Sequence, residues 1–393
     1  MTGTRRIHFN YRFIDKALIF LVAVGLLTGA SSLQAQKLKV LYNFGGAADG
    51  GDPYASLIRD SAGNLYSTGG YGGTYYAGVV YKVDPKGNET VLYNFTGGSD
   101  GAYPESPVVR DKEGNLYGTT TQGGSANQGV VFKVDTTGNE TVLHNFTGGS
   151  DGSIPIGGLM MDKAGNFYGT AGGGTYNDGV VYKIDTKGNE TILHTFTGAT
   201  NDGKYPTYTT VIMDAQGNLY GDTQEGGSAG EGILYKLNKS GHLTILHNFA
   251  GGTTDGCNAM GVPLMDKEGN FYGITSSCGT SQYGTVWKVT KSGKETLLHS
   301  FAGGASDGQY PLSGVVMDAE GNLYGTTETG GASDLGTVYK VNQKGQFTLL
   351  HSFSGPDGKL VYSSLVLTAN GMLYGTAMNG GSIGYGTVWK MNK

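Results

Sequence analysis

A four-residue motif, Gly-Asn-Leu-Tyr or a close variant, occurs seven times along this 393-residue chain, at 63–66, 114–117, 165–168, 217–220, 269–272, 321–324 and 371–374. Successive first glycines are 51, 51, 52, 52, 52 and 50 residues apart. So even a spacing near fifty is the mark of a chain built from one supersecondary unit repeated, which points to a propeller or a solenoid. Repeats override the two or three domains that length alone suggests.

Within a copy, four strand-like runs are separated by turn residues. In the second copy they cover roughly 106–111, 115–121, 129–135 and 140–146, with turns at Glu113-Gly114, Gly123-Gly124 and Thr137-Gly138. No run carries a helical apolar stripe. The second and third runs are apolar or aromatic on both faces, as in a sheet covered by a neighbour on each side. Four short antiparallel strands per repeat make one propeller blade.

The ends of the chain argue for closure. The last copy stops after Gly386-Thr387-Val388-Trp389-Lys390, its third strand. Its missing fourth strand has a match near the other end, where Leu38-Lys39-Val40-Leu41-Tyr42-Asn43-Phe44 follows the pattern of Val91-Leu92-Tyr93-Asn94-Phe95. The expected fold is therefore all-β: a seven-bladed β-propeller of four-stranded antiparallel blades, its ring closed by the N-terminal strand joining the last blade. An open solenoid would instead need polar caps.

The pattern Gly-Asn-Leu-Tyr-Gly-Thr-Thr (114–120), Gly-Val-Val-Phe-Lys-Val (129–134) and Thr-Val-Leu-His-Asn-Phe (141–146) resembles the tandem repeat of the GloVer-containing bacterial exported proteins, over residues 37–393. The resemblance implies an exported, propeller-like protein, often held at the cell surface by a C-terminal anchor. It implies no agreed activity. Nothing that reads as an anchor follows the last copy.

The N-terminus reads as a signal peptide over 1–35. Arg5, Arg6, Arg12 and Lys16 precede an apolar run at 17–27 that is short for a membrane span, and small residues follow, with cleavage expected after Ala30 or Ala35. Removing 1–35 moves the net charge from −5 to about −8. A mildly acidic mature chain is a poor nucleic-acid binder. No membrane span is expected after cleavage. The expected product is a secreted monomer, extracellular or at the cell surface, with the periplasm as the other compartment. Gly and Pro together make up about a fifth of the chain, below the roughly 25–30% of disordered low-complexity sequences.

Because strands alternate in direction, inter-blade loops and loops between second and third strands open on one face, here called the variable face. Every inter-blade loop carries Asp-Gly, with Asp at 49, 100, 151, 202, 255, 307 and 357. Seven carboxylates suggest a metal ring, but Asp-Gly is first a turn signal. Third strands each carry a Lys, and six first strands end in Asp, which reads as ion pairing or turn capping on the opposite face. The fourth strands place His144, His194, His247, His299 and His351 at one position, with Tyr42 and Tyr93 in the other copies. Such rings lie too far apart to share one metal and read as half-buried rings with a polar edge. No cofactor or metal is expected. Cys257 and Cys278 sit in two variable-face loops of the fifth blade, and in an exported chain the pair suggests a disulfide.

What recurs in all blades reads as scaffold, so function is sought where copies disagree. The inner ends of the first strands are small, as at Ala55-Ser56, Gly157-Gly158 and Ser363-Ser364, which leaves room at a channel mouth. Tyrosines crowd this face. Tyr103, Tyr176, Tyr205, Tyr283, Tyr310 and Tyr385 are the candidate ligand contacts, since exposed Tyr among Gly, Ser and Asn stacks on sugar rings. Asp222 replaces the Thr of other copies and, with Glu225, is the candidate for acid–base chemistry. No nucleophile motif or phosphate loop appears. The reading preferred is a non-enzymatic binding propeller for a glycan or cell-envelope component. A carbohydrate-active lyase or hydrolase, and a purely structural surface protein, stand beside it.

Overall fold

The computed structural model describes residues 38–393. The signal segment expected at 1–35 lies outside them. Among the described residues there is no helix, and seven four-stranded antiparallel sheets form the blades of a seven-bladed β-propeller. Blade 2 is typical, with strands Val109–Arg110, Leu116–Thr120, Val130–Val134 and Glu140–Asn145. Blade 5 departs from it. Its first two strands run longer, Gly256–Met265 and Phe271–Cys278.

Closure follows the expected route. Lys39–Asn43 is the outer strand of blade 7, pairing antiparallel with Thr387–Asn392 so that Lys39 faces Lys390 and Asn43 faces Thr387. Both the start of this strand and Lys393 lie on the face opposite the variable one.

The core is a set of seams between blades. Each fourth strand is followed by a Phe with no exposure (Phe44, Phe95, Phe146, Phe196, Phe249, Phe301, Phe353), which meets the third-strand aromatic of the next blade. The centroids lie 5.0 Å apart for Phe44–Tyr81 and Phe95–Phe132, and 5.6 Å for Phe249–Trp287 and Phe353–Trp389. The closing seam, Phe44 on Tyr81, is thus built like the others. Edge-to-face contacts of this kind add to the area they bury.

These rings explain the glycine after the motif tyrosine. Gly118 pairs with Phe132 across the blade, and a Cβ there would lie 2.7 Å from the ring. At Gly273 a Cβ would lie 2.3 Å from Trp287. The hydrogen side chain makes the hole that the cross-strand ring fills.

On the opposite face the first-strand Asp caps its own turn. Asp111 accepts the Asn115 N–H at 2.8 Å and the Tyr117 hydroxyl at 2.9 Å, and Asp60, Asp162, Asp214, Asp266 and Asp318 repeat the pattern. Among the described residues the third-strand lysines make no ion pair with them. Lys133, Lys183, Lys236, Lys288 and Lys340 lie over the motif tyrosine instead, with Lys133 Nζ 5.9 Å from the Tyr117 centroid. Of the two roles expected for these residues, turn capping is the one seen.

Candidate functional site

The variable face rests on a sevenfold frame. In each inter-blade loop the Asp of Asp-Gly binds back to its own loop: Asp100 accepts the Thr96 N–H at 2.7 Å and the Tyr93 hydroxyl at 2.9 Å. Asp202 accepts the Thr197 N–H at 3.1 Å and faces His194 Nε2 at 3.0 Å. The seven carboxylates are therefore spent on separate loops and form no common ring.

Further along each loop one residue is held at positive φ: Asp52 (48°), Tyr103 (53°), Ile154 (49°), Tyr205 (56°), Asn258 (56°), Tyr310 (53°) and Leu360 (57°). This left-handed region costs an L-residue roughly 1–2 kcal/mol, so surrounding contacts must hold it. They do, since each of these N–H groups donates to a carbonyl on the second-to-third-strand loop of the preceding blade, as Tyr103 does to Ala77 at 2.8 Å and Tyr205 to Asp178 at 2.8 Å. The backbone repeats while the side chain changes.

Just beyond this turn the chain reaches the axis, where small residues such as Ser56, Gly157, Gly158 and Ser364 leave a depression of about 60 Å³ lined by all seven blades. The larger side chains around it are Tyr54, Glu105, Ile156, Tyr208, Leu312 and Tyr362. Seven equivalent positions thus carry an asymmetric set, phenols and a carboxyl on some blades and aliphatic groups on others. Tyr54 stacks on Tyr362 with centroids 4.9 Å apart. The Tyr362 hydroxyl donates to Glu328 at 2.7 Å. Burial lifts the Glu105 carboxyl above the ordinary range. Burial, aided by Tyr208, Glu105, Tyr362 and Glu328, holds the Tyr54 phenol protonated far above its usual range.

None of the six tyrosines expected to contact a ligand lines this mouth. Tyr103, Tyr205 and Tyr310 occupy the positive-φ position. Tyr283 meets Tyr310 edge-on at 5.5 Å. Tyr205 lies under Lys204 Nζ at 4.4 Å. Tyr176 is exposed, and Tyr385, also exposed, lies over Gly46. The lining tyrosines have a sequence signal of their own, because Tyr54, Tyr208 and Tyr362 each stand immediately before a pair of small residues. Among the described residues, the exposed large hydrophobic side chains, from Tyr71, Tyr75 and Tyr76 in blade 1 to Ile383 and Tyr385 in blade 7, all belong to loops of the variable face.

Asp222 and Glu225 have separate surroundings. Asp222 is buried between blades with 1% exposure, and it accepts the Thr209 hydroxyl through one oxygen while the other has no partner. Burial pushes its carboxyl up to about 7. A solute does not reach it. Glu225 is on the exposed rim, paired with Lys204 at 3.4 Å, and Lys204 also lies 3.7 Å from Asp178. Cys257 and Cys278 are joined in a disulfide with Cα atoms 5.4 Å apart, fastening two variable-face segments of blade 5.

A family model described as the Gloeobacter/Verrucomicrobia repeat matches residues 30–214 and again 207–393. Among solved structures, a gluconolactonase from Xanthomonas campestris is 14% identical, covering 71% of this chain and 82% of its own, with a TM-score of 0.42. A calcium-binding protein, regucalcin, from Agrobacterium tumefaciens strain C58 is 13% identical, covering 74% of this chain and 85% of its own, with a TM-score of 0.40. No curated protein sequence matches.

Proposed function

The chain belongs to the Gloeobacter/Verrucomicrobia repeat family, and from that premise we propose that it is an exported binding propeller whose axial mouth takes a polyhydroxylated ligand, the end or branch of a glycan of the cell envelope or its surroundings. The observation that carries this reading is the asymmetric ring of Tyr54, Glu105, Tyr208 and Tyr362 around the axial depression. Phenol rings offer a flat face to the C–H groups of a sugar and a hydroxyl to its OH groups, and the carboxyl accepts from those same OH groups. The gathering of exposed aromatic side chains on this face supports it.

The test is a glycan array with the exported chain and its Tyr208→Ala and Tyr362→Ala variants. Selective binding that falls at least tenfold in both variants is the expected result. Absence of binding, or binding that neither variant changes, overturns it. A second reading, a carbohydrate-active lyase or hydrolase, is favoured by one observation: Glu105 is a half-buried carboxyl of raised pKa at the mouth, as an acid catalyst requires. New reducing ends or unsaturated products from a polysaccharide, lost in Glu105→Gln, would put this reading first.

A further inference from the structure

Each seam between blades holds a polar contact outside the axial mouth. The fourth-strand His or Tyr faces the Asp of its own loop, and the next blade brings the first residue of its fourth strand to the same place. Where the ring is Tyr it hydrogen-bonds the carboxylate, Tyr42 to Asp49 at 2.7 Å and Tyr93 to Asp100 at 2.9 Å. At three seams the ring is His and the next blade's residue is apolar: Leu243, Phe347 or Leu38 by register. There His Nε2 closes on its Asp, at 3.0 Å for His194–Asp202, 3.1 Å for His299–Asp307 and 2.7 Å for His351–Asp357. Only at the two remaining seams, between blades 2 and 3 and blades 4 and 5, do a His and a next-blade Glu coincide. There the His–Asp contact opens. His144 Nε2 lies 3.9 Å from Asp151 and 3.6 Å from Glu190, and His247 Nε2 lies 3.5 Å from Asp255 and 3.8 Å from Glu295. In both clusters the buried His Nε2 and one buried Glu oxygen have no hydrogen-bond partner.

We propose that His144, Asp151 and Glu190, and separately His247, Asp255 and Glu295, each bind a first-row divalent cation, zinc being the one the donors fit best, so that a metal ion staples each of these two seams. The donors of each cluster lie within 4.8 Å of one another. Zinc bonds of about 2.0–2.2 Å in a tetrahedron put ligand atoms about 3.4 Å apart, close to the 3.5–3.9 Å that already separates each His Nε2 from its Asp and Glu oxygens. A neutral imidazole and two carboxylates suit zinc and leave one position for water. The cation cancels the charge of both acids. The repeated histidines do not share one metal. Two of them each recruit a carboxylate from the neighbouring blade.

The experiment is cobalt titration of the exported chain after dialysis against a chelator, read by visible ligand-field absorbance and by competition with zinc. Two cobalt ions per chain, displaced by two zinc, are expected. His144→Ala and His247→Ala should each leave one site, and Glu190→Gln and Glu295→Gln, which preserve volume, should do the same if the alanine variants fail to fold. His194→Ala, which alters a ring with no Glu beside it, should leave both sites, and Leu243→Glu should raise the count to three. A wild-type chain that binds no cobalt, a count that the His144, His247, Glu190 and Glu295 variants leave at two, or a loss of sites in His194→Ala would overturn the proposal.

Discussion

Thr119 donates its buried hydroxyl across the seam between blades 2 and 3 to the carbonyl of Pro155, at 2.6 Å. Thr68 does the same to Ser106 at 2.9 Å, Thr170 to Thr209 at 2.7 Å, Thr326 to Ser363 at 3.0 Å and Thr376 to Ala55 at 3.3 Å. These hydroxyls stitch inner strands around the axis where backbone carbonyls would otherwise be buried without partners. Two blades break the ring, with Asp222 and Ile274 at the equivalent position.

Asp222→Thr is expected to stabilise the protein, and more so at pH 8 than at pH 5. The folded carboxyl sits near 7 against an ordinary value of 3.8. The folded state therefore holds a proton that the unfolded state has lost, and stability falls as pH rises from about 4 to about 7. The full shift corresponds to at most about 4 kcal/mol. Urea midpoints of both proteins across this range check it; a gain that is equal at pH 5 and pH 8 would refute the buried-carboxyl account.

Phe44→Ala should cost about 3–5 kcal/mol, as truncation of a fully buried Phe does. The same change at Phe196, inside the ring, should cost as much, because both rings are fully buried against a third-strand tyrosine. Denaturant unfolding of the two variants compares the seams directly. A Phe44 variant that loses less than about 1 kcal/mol would mean that the ring closes loosely.

The Cys257–Cys278 bridge closes a loop with a sequence separation of 21. Its removal in a Cys257→Ala, Cys278→Ala variant should cost about 3 kcal/mol by the loop-entropy relation. Mass spectrometry of the untreated chain should find no thiol open to alkylation, and two alkylated cysteines would rule the bridge out.

Gly157→Ala should destabilise by about 1–3 kcal/mol, the usual cost of overpacking, and reshape the mouth. Gly157 is needed for space, since a Cβ there would lie 2.5 Å from the Thr209 carbonyl oxygen and 2.5 Å from Thr170 Oγ1. Thermal unfolding measures the first effect and glycan binding the second.

The blade plan was legible because each blade repeats the same local chemistry. The match of 38–44 to the fourth-strand pattern was enough to close the ring, and Asp-Gly was readable as a turn. The axial contacts were less legible. Tyr205 shares its loop with Tyr208, and Tyr103 shares its loop with Glu105, yet only Tyr208 and Glu105 line the axial depression. Loop membership does not encode distance from the axis.

By itself the sequence determined the repeat, the strands and turns within each copy, and the circular offset that joins first strand to last, since all of these are written in spacing and residue type along one chain. Only the tertiary structure decided which side chains meet across seams. Glu190 comes to His144 from the next blade, and Thr119 finds an acceptor in Pro155, because stacking twisted sheets around an axis brings together residues some forty positions apart whose pairing no single repeat contains.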